Sequence, residues 1–234
     1  EVSSMSRFIL IFLVLLLALA GSPSDPADLQ KGFAAAQKGD FATALREWNP
    51  LAEQGDDFAQ YNLGVMYEKG LGVSQDYKTA VKWFRLAAKQ GYADAQSNLG
   101  VMYEKGLGVS QNYKTAVKWF RLAAKQGYAD AQSNLGLMRF QGLGVSQNYK
   151  TAVKWFRLAA KQGHPDAQSN LGFMYFKGLG VPKRQKISFE WYRRSAEQGN
   201  ASAQYNLGQK YRKGQGIKLD YKTAVKWYRL AAEQ

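Results

Sequence analysis

The 234-residue sequence predicts an all-α solenoid of about six antiparallel helical hairpins. Three observations carry this. Leu-Gly recurs at Leu63-Gly64, Leu99-Gly100, Leu135-Gly136, Leu171-Gly172 and Leu207-Gly208, every 36 residues. Trp83, Trp119, Trp155, Trp191 and Trp227 keep the same period, as do Gly91, Gly127, Gly163 and Gly199. Within each period, two stretches place apolar residues at helical spacing on either side of a glycine-rich loop.

The first helix of a unit is clearest in Ala95–Tyr103, where Ala95, Leu99, Met102 and Tyr103 form one apolar stripe. Gly106-Leu107-Gly108-Val109 stops it and opens the loop. Asn112, replaced by Asp76 or Asp220 in other copies, caps a second helix expected from about Tyr113 to Gln126. Ala116, Trp119, Phe120, Ala123 and Ala124 are its expected buried face, and Gly127 its stop. Gly100 lies inside a helix, where glycine costs about 1 kcal/mol relative to alanine. Its position opposite Ala116 and Ala123 predicts a close crossing of the two backbones, with Trp119 and Tyr103 filling the seams to the next pair. One hairpin cannot bury its own tryptophan, so stability is expected from stacking. In the fourth copy Pro165 suits a first helical turn. There Pro182-Lys183-Arg184-Gln185 replaces the usual loop and Ser188 and Ser195 replace alanines, so its packing is expected to differ.

The N-terminal part departs from the period. Residues 27–55 read as a shorter hairpin, with Gly39-Asp40 in place of the long loop and Trp48 in place of Phe84. Ahead of it, Met5-Ser6-Arg7, the apolar run Phe8–Ala20 and the small-x-small site Ala18-Leu19-Ala20 read as a cleavable signal peptide over residues 1–20. Residues 21–26 are the linker. The expected localisation is periplasmic or secreted. The alternative is an uncleaved N-terminal membrane anchor, for which thirteen apolar residues are short. A start at Glu1 and a stop at Gln234, where earlier copies run on into glycine, read as a conceptual translation or a fragment, with an apolar flank expected near Trp227 that a longer natural chain or another molecule would cover.

The pattern Ala-x-x-Asn-Leu-Gly-x-x-Tyr, Gly-x-Gly-Val, (Asp/Asn)-Tyr-x-x-Ala-x-x-Trp-x-x-x-Ala-Ala-x-x-Gly resembles the Sel-one-like repeat family, relatives of tetratricopeptide repeats with a longer loop. The resemblance covers residues 56–234 as five repeats, and the hairpin 27–55 is similar to an ordinary tetratricopeptide unit. It implies a right-handed superhelix that serves as a protein-interaction scaffold. In bacteria it implies an exported adaptor in envelope assembly, signalling or host contact.

Composition narrows the chemistry. The chain has no cysteine and one histidine, His164, which excludes disulfide scaffolds, cysteine nucleophiles and cysteine–histidine zinc clusters. Nearly every polar residue is copied several times, which suits a scaffold rather than a unique catalytic constellation. His164, at a helix start where other copies carry Tyr92 and Tyr128, reads as a cap. Glu68 and Glu104, beside Lys69 and Lys105, read as a solvated charge ladder. Gly70-Leu71-Gly72 reads as a helix stop, since no strand precedes it and the rest of a phosphate loop is missing. No enzyme activity and no cofactor are expected; a hydrolase of the β-lactamase-like type is the remaining alternative, without the disulfides of the relatives linked to that chemistry.

Two surfaces are candidate binding sites. By resemblance to tetratricopeptide arrays, the first helices line a concave groove, where Asn98, Asn134 and Asn170 form a ladder able to bond a peptide backbone or a terminal carboxylate. Leu137, Phe140, Phe173 and Phe176 would form an apolar patch for a protein or peptide partner. The other reading is seam packing for the aromatics and inter-helix bonding for the asparagines. The second helices carry a basic stripe. It runs through Lys78, Lys82, Arg85 and Lys89, then Lys114, Lys118, Arg121 and Lys125, then Lys150, Lys154, Arg157 and Lys161. With 32 Lys and Arg against 18 Asp and Glu, a net charge of +14, the stripe is either a solvated outer face or a contact for an anionic envelope polymer or polysaccharide. Nucleic acid is not expected, and membrane contact is expected only through an uncleaved signal segment.

Overall fold

The structure, a computed structural model, describes residues 26–233. The signal peptide predicted over residues 1–20 and nearly all of the linker lie outside the described residues. Among the described residues there are twelve helices and no strand, in six consecutive hairpins. The first is α1 (Pro26–Gln37) with α2 (Phe41–Glu53), and the second α3 (Asp57–Lys69) with α4 (Tyr77–Gln90). Then come α5 (Ala93–Lys105) with α6 (Tyr113–Lys125), and α7 (Ala129–Gln141) with α8 (Tyr149–Lys161). The last are α9 (Pro165–Lys177) with α10 (Gln185–Glu197), and α11 (Ala201–Lys213) with α12 (Tyr221–Ala232). This is the hairpin solenoid that the repeat predicts. The chain divides into two compact units, one of residues up to 99 with 107–110, the other of residues 100–106 and from 111 onward. Among the described residues no helix is long and apolar enough to cross a membrane.

Helix ends follow the sequence signals. Asn112 and Asn148 accept from the amides of Thr115 and Thr151, and Asp220 accepts from Thr223 N–H. Asp76 accepts from the Thr79 hydroxyl, which is the main cause holding its carboxyl below the usual carboxylate range, and also from Lys78 N–H. Glycine closes the first helices in the left-handed region, as at Gly142 (φ 78°), which other residues rarely adopt.

The helical glycine makes room for a ring as well as for the close approach expected. A Cβ on Gly136 would lie 2.6 Å from the Phe156 ring, and one on Gly172 would lie 2.8 Å from Tyr192. The missing side chain is the socket for an aromatic ring of the second helix, and at Gly208 a Cβ would also lie 3.2 Å from the Ala224 backbone carbonyl, a close approach of the two backbones. Trp48 fills the same socket at Gly32 in the first hairpin. The tryptophans of the 36-residue period are correspondingly only half-buried: Val117, not Trp119, joins Ala116, Phe120, Ala123 and Ala124 in the buried face of α6.

A buried glutamine, a residue with no role in the apolar pattern, ties one hairpin to the next. In the second unit Gln168 Nε2 donates to the Ala160 carbonyl at 3.3 Å, and its Oε1 accepts from Gln198 at 2.8 Å. Gln132 repeats this, donating to Ala124 at 3.2 Å and accepting from Gln162 at 2.9 Å. In the first unit Gln60 bonds Ala52 and Gln90 in the same way. Each amide is buried with both ends bonded, so its burial is compensated.

The fourth copy, where departures were expected, closes its packing with hydrogen bonds. Ser188 Oγ donates to the Gly172 carbonyl at 2.7 Å and Ser195 Oγ to the Pro165 carbonyl at 2.8 Å. The apolar flank expected near Trp227 is present at Tyr221, Val225 and Leu230, 63%, 55% and 44% exposed, while Trp227 itself is half-buried.

Candidate functional site

The helices of the second unit place the first turns of α7, α9 and α11, with the turns that precede them, around a cleft of about 890 Å³. Asn134 and Asn170 stand at the same register on α7 and α9, and among the described residues their side-chain amides have no hydrogen-bond partner. Register mates elsewhere are occupied: Asn62 donates to the Phe58 carbonyl and Asn206 to the Ser202 carbonyl, each at 2.8 Å. Leu137 gives the cleft an apolar wall, and Ser133 lines it from the first turns of α7.

His164 closes one side of the cleft. Its Nδ1 accepts from the Ala167 amide at 3.3 Å, capping α9, which puts the proton on Nε2. Nε2 faces Asp130 Oδ1 at 3.2 Å. Both ring nitrogens are thus engaged with structural partners, and neither is left to activate a serine hydroxyl. Asp166, in the first turn of α9, accepts from the Asn200 amide at 2.6 Å through its own Oδ1. Among the described residues no three His, Cys, Asp or Glu side chains gather as metal ligands.

The groove residues expected from sequence fall into separate places. Asn134, Leu137 and Asn170 line the large cleft. Phe140 and Phe173 meet edge to face at 6.0 Å, pack against the core shared by α8 and α9, and with Asn170 border a smaller pocket of about 220 Å³. They are half-buried seam residues, not an open patch. Phe176 sits beneath the Lys210 ammonium, 4.1 Å from the ring centre, with Lys177 at 5.4 Å. Asn98 belongs to the first unit, on α5.

The stripe cations are exposed except for Arg85, which is half-buried. Arg157 reaches the Tyr175 hydroxyl at 3.2 Å.

One unexpected group is Lys210, 2% exposed, at the register of Met66, Met102, Met138 and Met174. Its Nζ donates to Gln185 Oε1 at 2.6 Å. Burial, reinforced by the Lys183 charge, brings its ammonium down to about 8. The break in the methionine series was the signal for it.

A Sel1 repeat model matches residues 57–92, 93–128, 129–164, 165–200 and 201–234, one after another. The chain belongs to the Sel1 repeat family. Among solved structures, a Sel1 repeat protein from Oxalobacter formigenes is 36% identical with a TM-score of 0.84, over 89% of this chain and 83% of that one. A protective antigen present in uropathogenic Escherichia coli strains, displaying an SLR fold, is 39% identical with a TM-score of 0.82. The match covers 95% of this chain but 48% of the antigen, so the chain spans about half the antigen's length. An immunity protein from Pseudomonas aeruginosa, 19% identical over 91% of this chain and 83% of that one, shares the fold with a TM-score of 0.56. No curated protein matches the chain. Within this Sel1 repeat chain the Leu, Gly, Ala and buried Gln positions build the stack, while Asn134, Leu137 and Asn170 face the cleft.

Proposed function

We propose that this Sel1 repeat chain is an exported, non-catalytic scaffold that binds an extended peptide segment of a partner protein in the cleft bordered by α7, α9 and α11. The observation that carries the reading is the pair of unpartnered amides, Asn134 and Asn170, at one register on α7 and α9. A side-chain amide offers one acceptor and two donor hydrogens, the complement of a peptide group. Leu137 beside them supplies apolar contact. Export rests on the charged start, apolar run and small-x-small site of residues 1–20, and a periplasmic or secreted adaptor role goes with it. Absence of catalysis rests on His164, whose two nitrogens are committed to a helix cap and to Asp130.

The test is selection of twelve-residue peptides from an unbiased displayed library on the purified chain. The Asn134→Ala/Asn170→Ala double variant is expected to weaken selected peptides about tenfold or more, with unchanged helical circular dichroism. Unaltered affinity in the double variant, or no selected peptide, contradicts the reading.

A second reading is favoured by one observation: among the described residues, none of the eight stripe cations of α6 and α8 is held in an ion pair. These helices would contact an anionic polymer. Retention on heparin that falls steeply with salt is its expected result, and salt-independent or absent retention rejects it.

A further inference from the structure

The smaller pocket between α7, α8 and α9 is distinct from the cleft in its chemistry. Its volume is about 220 Å³, and its lining is Phe140, Phe156, Phe173, Met174 and Asn170. Phe156 and Met174 belong to the core, each 1% exposed, while Phe140 and Phe173 are half-buried. The Phe140 ring is packed on Phe173 at 6.0 Å and on Tyr149 at 5.6 Å, so the pocket is formed before any ligand arrives. Four apolar side chains and one amide suit an apolar guest, and a charged group would lie there unpaired. An apolar cavity of about 150 Å³ takes a benzene molecule, so this pocket has room for one large apolar side chain.

Two further observations tie the pocket to the cleft. Asn170 lines both cavities, and its amide has no hydrogen-bond partner among the described residues. A peptide group bonded to that amide would carry its neighbouring side chain to the pocket. The two rings are also additions to the repeat. At the register of Phe140, α3 and α5 carry Glu68 and Glu104, and at the register of Phe173 they carry Val65 and Val101. Hairpins of the first unit stack without these rings, so the stack itself does not require them.

We infer that this pocket takes one leucine, methionine or phenylalanine side chain of the peptide bound in the cleft, with the adjacent peptide group on Asn170. The inference rests on the peptide-binding reading above and adds to it the residue that anchors the partner. A small free aromatic molecule has the same chemistry. The peptide is favoured because the amide that borders the pocket also borders the cleft.

The experiment begins with the peptides selected from the displayed library, which are expected to share one Leu, Met or Phe. Replacing that residue by alanine should weaken binding about thirtyfold. Phe140→Glu/Phe173→Val, which gives the seam the residues of the first-unit copies, should weaken the parent peptide about tenfold and leave its alanine analogue unaffected. Methyl NMR of the methionine-labelled wild-type chain gives a reading that does not depend on how the variant folds. The Met174 methyl resonance should shift when the peptide is added, with Met66 and Met102 unmoved, and the alanine analogue should leave Met174 in place. Toluene serves as the free aromatic molecule, and the peptide is expected to displace it. Peptides that share no apolar residue, or that bind without moving Met174, yet depend on Asn134 and Asn170, overturn the anchor and leave the peptide-binding reading standing. No selected peptide overturns both. Toluene that shifts Met174 where no selected peptide does so overturns the peptide as the occupant.

Discussion

Single residues in this molecule are explained by what occupies the space beside them. Gly136 illustrates the point, because intrinsic propensity and packing pull in opposite directions there. Alanine is the better helix former by about 1 kcal/mol, but its Cβ would meet the fully buried Phe156 ring at 2.6 Å. Overpacking a core costs roughly 1–3 kcal/mol. Gly136→Ala is therefore expected to lower the thermal midpoint in a calorimetric scan, and a rise would contradict the socket. Lys210 is the opposite case, a residue retained at a cost. Its ammonium, brought down to about 8 by burial, compares with an unfolded value of about 10.4. Between those values the unfolded chain binds more protons, so stability rises with pH across that window and the cost is complete below it. The Phe176 ring face offsets part of this. Lys210→Met, which restores the residue of the other copies, is expected to stabilise the chain by on the order of 2 kcal/mol at pH 7. It should also flatten the rise in midpoint between pH 8 and 10. An unchanged pH profile would show that Lys210 is not the group responsible.

At the scale of elements, the helices, loops and stops were legible because each has a local cause. Asn112 and Asp76 announce helix starts, Gly106 and Gly127 announce ends, and the Ala95–Leu99–Met102 stripe sets the buried face. What the sequence did not reveal was which group fills which space. Trp119 carries the larger apolar surface, yet Phe120 takes the socket at Gly100 and Val117 the second buried place. Periodicity alone does not choose between Trp119 and Phe120, because neighbouring residues stand about 100° apart and a buried apolar face is at least that wide. The glutamine ties were also hidden, because Gln96, Gln132 and Gln168 are polar residues within an apolar pattern. Their role depends on carbonyls in the preceding hairpin, which no local signal encodes. Gln168→Ala leaves the Ala160 carbonyl and the Gln198 amide without this partner, at a cost of about 1–3 kcal/mol. In a repeat protein the loss is expected locally, as faster hydrogen exchange in α8 and α9. Uniform acceleration along the chain would contradict a hairpin-to-hairpin tie.

At the scale of the whole molecule, repetition makes the architecture easy to read and the binding site hard. The asparagines recur in every copy, so sequence could place them on a ladder but could not show that Asn134 and Asn170 are open while Asn62 and Asn206 bond their own helices. The expected aromatic patch is drawn into seams by the neighbouring core, which leaves Leu137 as its representative in the cleft. The proposed export is tested at the scale of the whole chain too. Expression of the full sequence in a bacterial host is expected to yield a periplasmic product whose N-terminus follows Ala20, read by Edman degradation. An uncleaved, membrane-bound product would favour the anchor. The most direct test of the peptide-binding account is amide hydrogen exchange of the purified chain with and without a selected peptide. Protection is expected in the first turns of α7, α9 and α11. Protection confined to the outer faces of α6 and α8, or no change in the cleft, would contradict it.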